Sequence, residues 1–144
     1  MKQVVIMRGL PGSGKSTIAE TLAKSTEFSY VCSADKFFID HDGKYIFDRS
    51  QIGQAHKYCR TWFDAFIKSG TDLIIVDNTN VKRKDFAYYI DQAQKYKYAV
   101  TEVLVGGWSD NDITTYHRRC THGVPLETIQ RMALSLRESI LFGS

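Results

Sequence analysis

The stretch Gly9-Leu10-Pro11-Gly12-Ser13-Gly14-Lys15-Ser16-Thr17 directly follows the apolar run Val4-Val5-Ile6-Met7. It fits the pattern GxxxxGK[ST], and its setting narrows the possible folds more than any other feature of the chain. Gln3 to Arg8 reads as a short buried strand ended by Gly9. Ser16 to Lys24 carries Ile18, Ala19 and Leu22 at helical spacing. Between strand and helix, glycines let main-chain N–H groups converge on phosphate oxygens where a Cβ would intrude. The helix that follows aims the positive end of its dipole at the same anion. In such a loop Gly9, Pro11, Gly12, Ser13 and Gly14 surround the phosphates and Lys15 reaches the β and γ groups. The Ser16 hydroxyl ligates Mg²⁺ and Thr17 adds a second hydroxyl. The implied ligand is a nucleoside triphosphate with Mg²⁺. ATP is the default, because the sequence holds no guanine-reading NKxD tetrad.

The rest of the chain continues the alternation. Phe28 to Ser33 is strand-like, and Ser50 to Lys68 is an amphipathic helix with Ile52, Ala55, Cys59, Trp62, Phe63, Phe66 and Ile67 on one stripe. Leu73 to Val76 is a fully apolar strand ending at Asp77. A helix follows through Phe86, Ile90 and Ala93, then a fourth strand from Ala99 to Val105. Asp110 to Arg119 is a polar helix. Pro125 opens a last helix carrying Leu126, Ile129, Ala133, Leu136 and Ile140. Strand–helix alternation of this kind predicts an α/β P-loop NTPase-type sandwich of three layers: a parallel sheet of four or five strands flanked by helices, with a helical lid. Such sheets bind ligands beyond the carboxyl ends of their strands, so Gly9, Asp35 and Asp77 are expected on one rim.

At 144 residues, residues 1–144 are expected to form a single domain. The net charge of +3 permits an anionic partner without demanding one. Cys32, Cys59 and Cys120 are odd in number and far apart, which suits reduced thiols in an intracellular, cytoplasmic protein. No apolar run approaches the roughly 20 residues of a membrane span. Oligomeric state is not legible.

A phosphate loop does not name a reaction. A small kinase needs only a base for an acceptor hydroxyl and cations for the transferring group. Asp35, just after the second strand, has the placement of such a base, although a helix N-cap aspartate also fits there. Asp77 suits a magnesium-bound water, an acceptor contact, or a cap on the turn Asn78-Thr79-Asn80. Arg118 and Arg119 precede Cys120-Thr121-His122-Gly123. They fit either phosphate-neutralising lid residues or a solvated pair favourable to a helix C-terminus.

Taken together, these residues resemble the P-loop polynucleotide kinase family, that is, the 5′-kinase domain of the phage enzyme and its relatives. The resemblance joins the phosphate loop, Asp35, Asp77-Asn78-Thr79-Asn80 and the string Gly123-Val124-Pro125-Leu126-Glu127-Thr128-Ile129-Gln130-Arg131-Met132. It implies that Lys15 and Ser16 hold ATP, that Asp35 is general base toward a 5′-hydroxyl, and that Arg119, five residues before Val124, is the lid arginine. Two positions depart from the family. Phe38 stands where the phage enzyme has an arginine toward the acceptor nucleotide's phosphate. The family's Asp-Thr-Asn is here Asp77-Asn78-Thr79-Asn80, so Asp77 and Asn78 both compete for the acidic position.

For the acceptor, Phe37, Phe38, Tyr45 and Phe47 fit either base stacking or a core role. Lys82-Arg83-Lys84 at a helix start opposes the macrodipole, which suits contact with nucleic-acid phosphates or a plain solvated turn. The residues expected toward the acceptor are Phe38, Asn78, Thr79, Asn80, Lys82 and Arg83. The leading expectation is a Mg-ATP kinase acting on the 5′-hydroxyl of DNA or RNA. Its rivals are a kinase for a nucleoside or other small hydroxyl compound, and an ATP-binding module without transfer chemistry.

Overall fold

The structure, a computed structural model, describes residues 1–120 and 123–144. Thr121 and His122, within the string that follows Arg119, lie outside the described residues. Four strands form one parallel sheet: β1 (Gln3–Arg8), β2 (Ser29–Cys32), β3 (Leu73–Asp77) and β4 (Ala99–Leu104), in the order β2-β3-β1-β4. Five α-helices accompany them: α1 (Lys15–Ala23), α2 (Ile52–Lys68), α3 (Arg83–Lys95), α4 (Asp110–Arg119) and α5 (Leu126–Phe142).

β1 and β3 are apolar at every central position because both faces of the sheet are covered. Alternation still sorts their side chains. Val4, Ile6, Ile74 and Val76 join Ala55, Cys59, Phe63 and Ile67 of α2 and Phe86, Tyr89 and Ala93 of α3. Val5, Met7, Leu73 and Ile75 face the opposite way, against Ala19 and the partly buried Leu22 and Ala23 of α1. Fully buried side chains such as Phe63 and Ile67 each contribute about 1.5–3 kcal/mol of hydrophobic free energy. β4 is an edge strand, largely exposed, with Thr101 and Glu102 among its outward residues.

A third cluster sits over the rim of the sheet. Leu10 and Val81 pack with Ile113 and Tyr116 of α4 and with Ile129, Ala133 and Leu136 of α5. This is the helical layer expected over the phosphate loop. Pro125 is the cap of α5, one residue earlier than its expected place within the first turn. Among the described residues no helix is long and apolar enough to cross a membrane.

The aromatic segment after β2 resolves into a 3₁₀ turn, Ala34–Phe38, and a narrow loop closed by an antiparallel bridge between Ile39 and Tyr45. Gly43, at φ 80°, makes the reversal. Phe38 is 7% exposed and packs edge-on against Phe37, Tyr45 and Phe47. Its ring is a core element, so stacking on an acceptor base is not open to it in this arrangement.

Candidate active site

The parallel register pairs Met7 with Asp77, so the acid that ends β3 lies beside the start of the phosphate loop. The loop leaves β1 with the Gly9 amide donating to the Thr79 carbonyl at 3.1 Å. Gly12 and Gly14 take φ of 80° and 93°, the left-handed region that turns successive N–H groups inward. Gly14 caps α1 without any side-chain hydrogen bond. The first amides of α1, from Lys15 onward, therefore have no helical acceptor. Gly12 is required for a second reason. A Cβ there would stand 2.3 Å from the Tyr116 carbonyl oxygen, so α4 lies directly on the loop. The Tyr116 hydroxyl accepts from the Gly107 amide at 2.9 Å and so ties α4 to the end of β4.

The Ser16 hydroxyl donates to Asp77 Oδ2 at 2.8 Å. Asp77 is 7% exposed, and its Oδ1 has no hydrogen-bond partner among the described residues. Burial raises the Asp77 carboxyl above its usual range, against the opposing pull of Lys15 and of the Ser16 hydrogen bond. A buried hydroxyl–carboxylate pair with an orphaned oxygen, beside a phosphate cradle, fits Mg²⁺. That ion takes one or two protein oxygens and completes its shell with phosphate and water. The Ser13 hydroxyl is likewise buried and without a partner among the described residues.

This raised value sets the sign of a prediction. The folded chain prefers the neutral acid, so ionised Asp77 destabilises the ligand-free fold. The penalty is absent below about pH 4, where the unfolded chain also holds the proton, and grows as pH rises toward the folded value. Asp77→Asn is expected to raise Tm at pH 7 without ligand, with the gain vanishing in acid. The same variant is expected to lose the extra thermal stabilisation that Mg-ATP gives the native protein. Differential scanning fluorimetry across pH, with and without Mg-ATP, checks both halves.

Asn78 does not take the acidic place. Its Oδ1 accepts from the Ala34 amide at 2.9 Å and its amide faces Cys59 Sγ at 3.6 Å, so it ties the ends of β2, β3 and α2 together. Asn80, 2% exposed and at φ 46°, donates to the Met7 carbonyl at 2.7 Å. Its side chain is spent on that contact rather than offered to an acceptor.

Asp35 opens the 3₁₀ turn, its amide donating to Ser33 Oγ at 3.2 Å. Its side chain is solvent-facing, and its charge is felt by Asp77 on one side and by His56 of α2 on the other. The Tyr45 hydroxyl is pushed up to about 12 by burial, by the Asp35 charge and by its hydrogen bond to Asp35. It therefore stays protonated and donates to that carboxylate. Arg118 and Arg119 stand exposed on the last turn of α4. Lys15 acts electrostatically on Cys120, the cap of that helix, so the end of α4 lies near the loop lysine.

The basic run at the start of α3 divides. Arg83 pairs with both carboxylate oxygens of Glu102 at 3.2 Å and lies over the Phe86 ring. Lys82 is the exposed cap of the helix. Neither lines a cleft, whereas Lys84 does. A cleft of about 420 Å³ opens beside the end of β3, between Gly53, His56 and Arg60 of α2, the Asn78–Asn80 turn, and Lys84 and Asp85 of α3. Sequence reasoning passed over His56 and Arg60. Their spacing from Gly53, three and then four residues, was the available signal.

Comparison with known proteins agrees with this architecture. Human NEDD4-binding protein 2 is 35% identical over 129 residues, which covers 90% of this chain and 7% of that protein. Mouse 2′,3′-cyclic-nucleotide 3′-phosphodiesterase is 30% identical over 103 residues, covering 71% of this chain and 23% of that one. The chain thus spans only a small part of these relatives. Among solved structures, a chain of the Pnkp1/Rnl/Hen1 RNA repair complex superposes with a TM-score of 0.75 at 19% identity, over 97% of this chain and 45% of that chain. This likeness extends to the fold, which is that of a P-loop kinase. The sequence match to the AAA domain family AAA_33 runs over residues 4–135, from the first buried strand well into the last helix, and the chain belongs to that family.

Proposed function

We propose that the chain transfers the γ-phosphate of ATP to the 5′-hydroxyl of a polynucleotide. The observation that carries this reading is the position of Asp35, between the Ser16–Asp77 pair and the cleft beside β3. An acceptor in that cleft would bring its hydroxyl to the one rim carboxylate that faces solvent. Asp35 takes the hydroxyl proton as the acceptor oxygen bonds to the γ-phosphorus. The bond from that phosphorus to the β–γ bridging oxygen breaks, and ADP leaves. The turned amides of the loop hold the triphosphate, and Lys15 and Arg119 neutralise charge on the moving group. Mg²⁺, bound beside Ser16 and Asp77, would screen the phosphate oxygens. The fold shared with a chain of an RNA repair complex supports a nucleic-acid acceptor.

The test is incubation with γ-labelled ATP, Mg²⁺ and a panel of 5′-hydroxyl DNA and RNA oligonucleotides, nucleosides and sugar acids. Label at the oligonucleotide 5′ end, removable by phosphatase, is the expected result. Label found only on small hydroxyl compounds, or only as free phosphate, would overturn the reading.

A further inference from the structure

The cleft between α2 and α3 has features that general packing does not explain. Its polar side chains come from two helices and carry Arg60 and Lys84 against a single lining acid, Asp85. Asp85 is already engaged, accepting from the Lys82 amide at 3.0 Å as part of a helix cap. Arg60 is steadied over the ring of Tyr88, 5.8 Å from its centroid, and the Tyr88 hydroxyl is fixed on Asp64 at 2.5 Å. His56 is held below the usual imidazole value, first by desolvation and then by Arg60, with Asp85 and Asp35 opposing. It therefore adds a neutral ring to the wall near pH 7.

Gly53 gives a second, independent sign. It is the second residue of α2, where glycine costs up to about 1 kcal/mol relative to alanine. A Cβ at this position would meet open space, so packing does not demand the glycine. What a side chain there would narrow is the cleft. The segment after Asp35 offers no rival cation to an acceptor. Phe38 is buried, and the Lys36 ammonium donates to the Val31 carbonyl and lies over the Tyr30 ring.

We infer that this cleft seats a phosphate carried by the acceptor itself, with Arg60 and Lys84 as its cationic partners, so that the preferred acceptor is a nucleotide unit bearing a phosphate beside its reacting hydroxyl. The inference rests on the acceptor reading above and specifies where the substrate's own charge is read. A volume near 420 Å³ suits one such unit.

The experiment compares a nucleoside, its 3′-monophosphate and a short 5′-hydroxyl oligonucleotide as acceptors, in the native chain and in Arg60→Gln, Arg60→Lys and Lys84→Gln. Binding of the 3′-phosphorylated acceptor is measured in parallel by calorimetry with a non-hydrolysable ATP analogue, and Tm confirms folding. In the native chain the 3′-phosphate is expected to raise kcat/KM at least tenfold over the nucleoside. Arg60→Gln is expected to collapse that ratio by about ten- to a hundredfold, mainly through KM, with partial rescue in Arg60→Lys. Equal use of nucleoside and 3′-monophosphate by the native chain would overturn the inference. So would an Arg60→Gln loss that is the same for both acceptors. Tight, Arg60-dependent binding of the phosphorylated acceptor without any transfer would retain the subsite and sink the kinase reading instead.

Discussion

Asp35→Asn is expected to lower kcat for transfer to a 5′-hydroxyl by about 10²- to 10⁴-fold, the usual contribution of a positioned general base. The substitution is nearly isosteric. An asparagine carbonyl oxygen can still accept from the Tyr45 hydroxyl, so the loop closed by the Ile39–Tyr45 bridge has no reason to move. The triphosphate cradle is built from residues 9–17 and Asp77 and does not include position 35, so the KM for ATP should hold. That separation makes the result interpretable. A loss in kcat with ATP binding intact assigns Asp35 to proton transfer. A matching loss of ATP affinity would mean that the side chain serves the nucleotide. Near-native turnover would remove the base assignment altogether. Tyr45→Phe is a useful companion. It deletes the hydrogen bond that orients the carboxylate while keeping the ring against Phe38 and Phe47, and a loss within about tenfold is expected. Initial rates with saturating labelled ATP and a single oligonucleotide read both variants.

Where the sequence was readable, a single physical constraint dominated the local pattern. The phosphate loop needs glycine at left-handed positions and a strand and helix on either side, and Gly12 and Gly14 took those conformations. An apolar strand ending in an acid is unusual enough to single out Asp77, which lies beside Ser16 at the end of β3. The polar faces of helices were opaque. A basic residue aimed into a cleft and one aimed into water have the same spacing, so His56 and Arg60 looked like any solvated face of α2. The run Lys82-Arg83-Lys84 read as one patch, but helical geometry turns each residue about 100° from the last. Arg83 went to Glu102 and Lys84 to the cleft. Phe38 was ambiguous because an aromatic ring after a strand fits a core or a platform equally, and only the fold-back through Gly43 decided for the core.

Arg8 is the residue whose removal should cost the fold most, and nothing in its sequence position announces it. It ends β1 one residue before the phosphate loop, where a cation would ordinarily reach solvent. Instead it is 3% exposed. Its guanidinium donates to the Asn80 carbonyl at 2.9 Å, the Val81 carbonyl at 2.9 Å and Ser139 Oγ at 2.8 Å. It pairs with Glu102 at 3.3 Å and lies 4.7 Å from the Phe86 ring centroid. One side chain thus joins β1 to the turn after β3, to β4, to α3 and to α5. Desolvation lowers the Arg8 pKa, with Glu102 opposing that shift, so the cation is retained only by these partners. Arg8→Ala leaves two main-chain carbonyls and a hydroxyl without their donor in a water-poor site. A loss of about 3–5 kcal/mol is expected, or a fall in Tm on the order of 10–20 °C for a chain of this size. Arg8→Lys keeps the charge but not the planar fork that serves several acceptors at once, so it should recover only part of the loss. Glu102→Gln should cost much less, because Glu102 is 35% exposed and also engages Arg83. Urea unfolding of the three variants orders them. If Arg8→Ala proved no worse than Glu102→Gln, the guanidinium would be a passenger at the strand end. The stability of the Asn78–Asn80 turn, which carries one wall of the acceptor cleft, would then have to come from the Asn80–Met7 hydrogen bond and the packing of Val81.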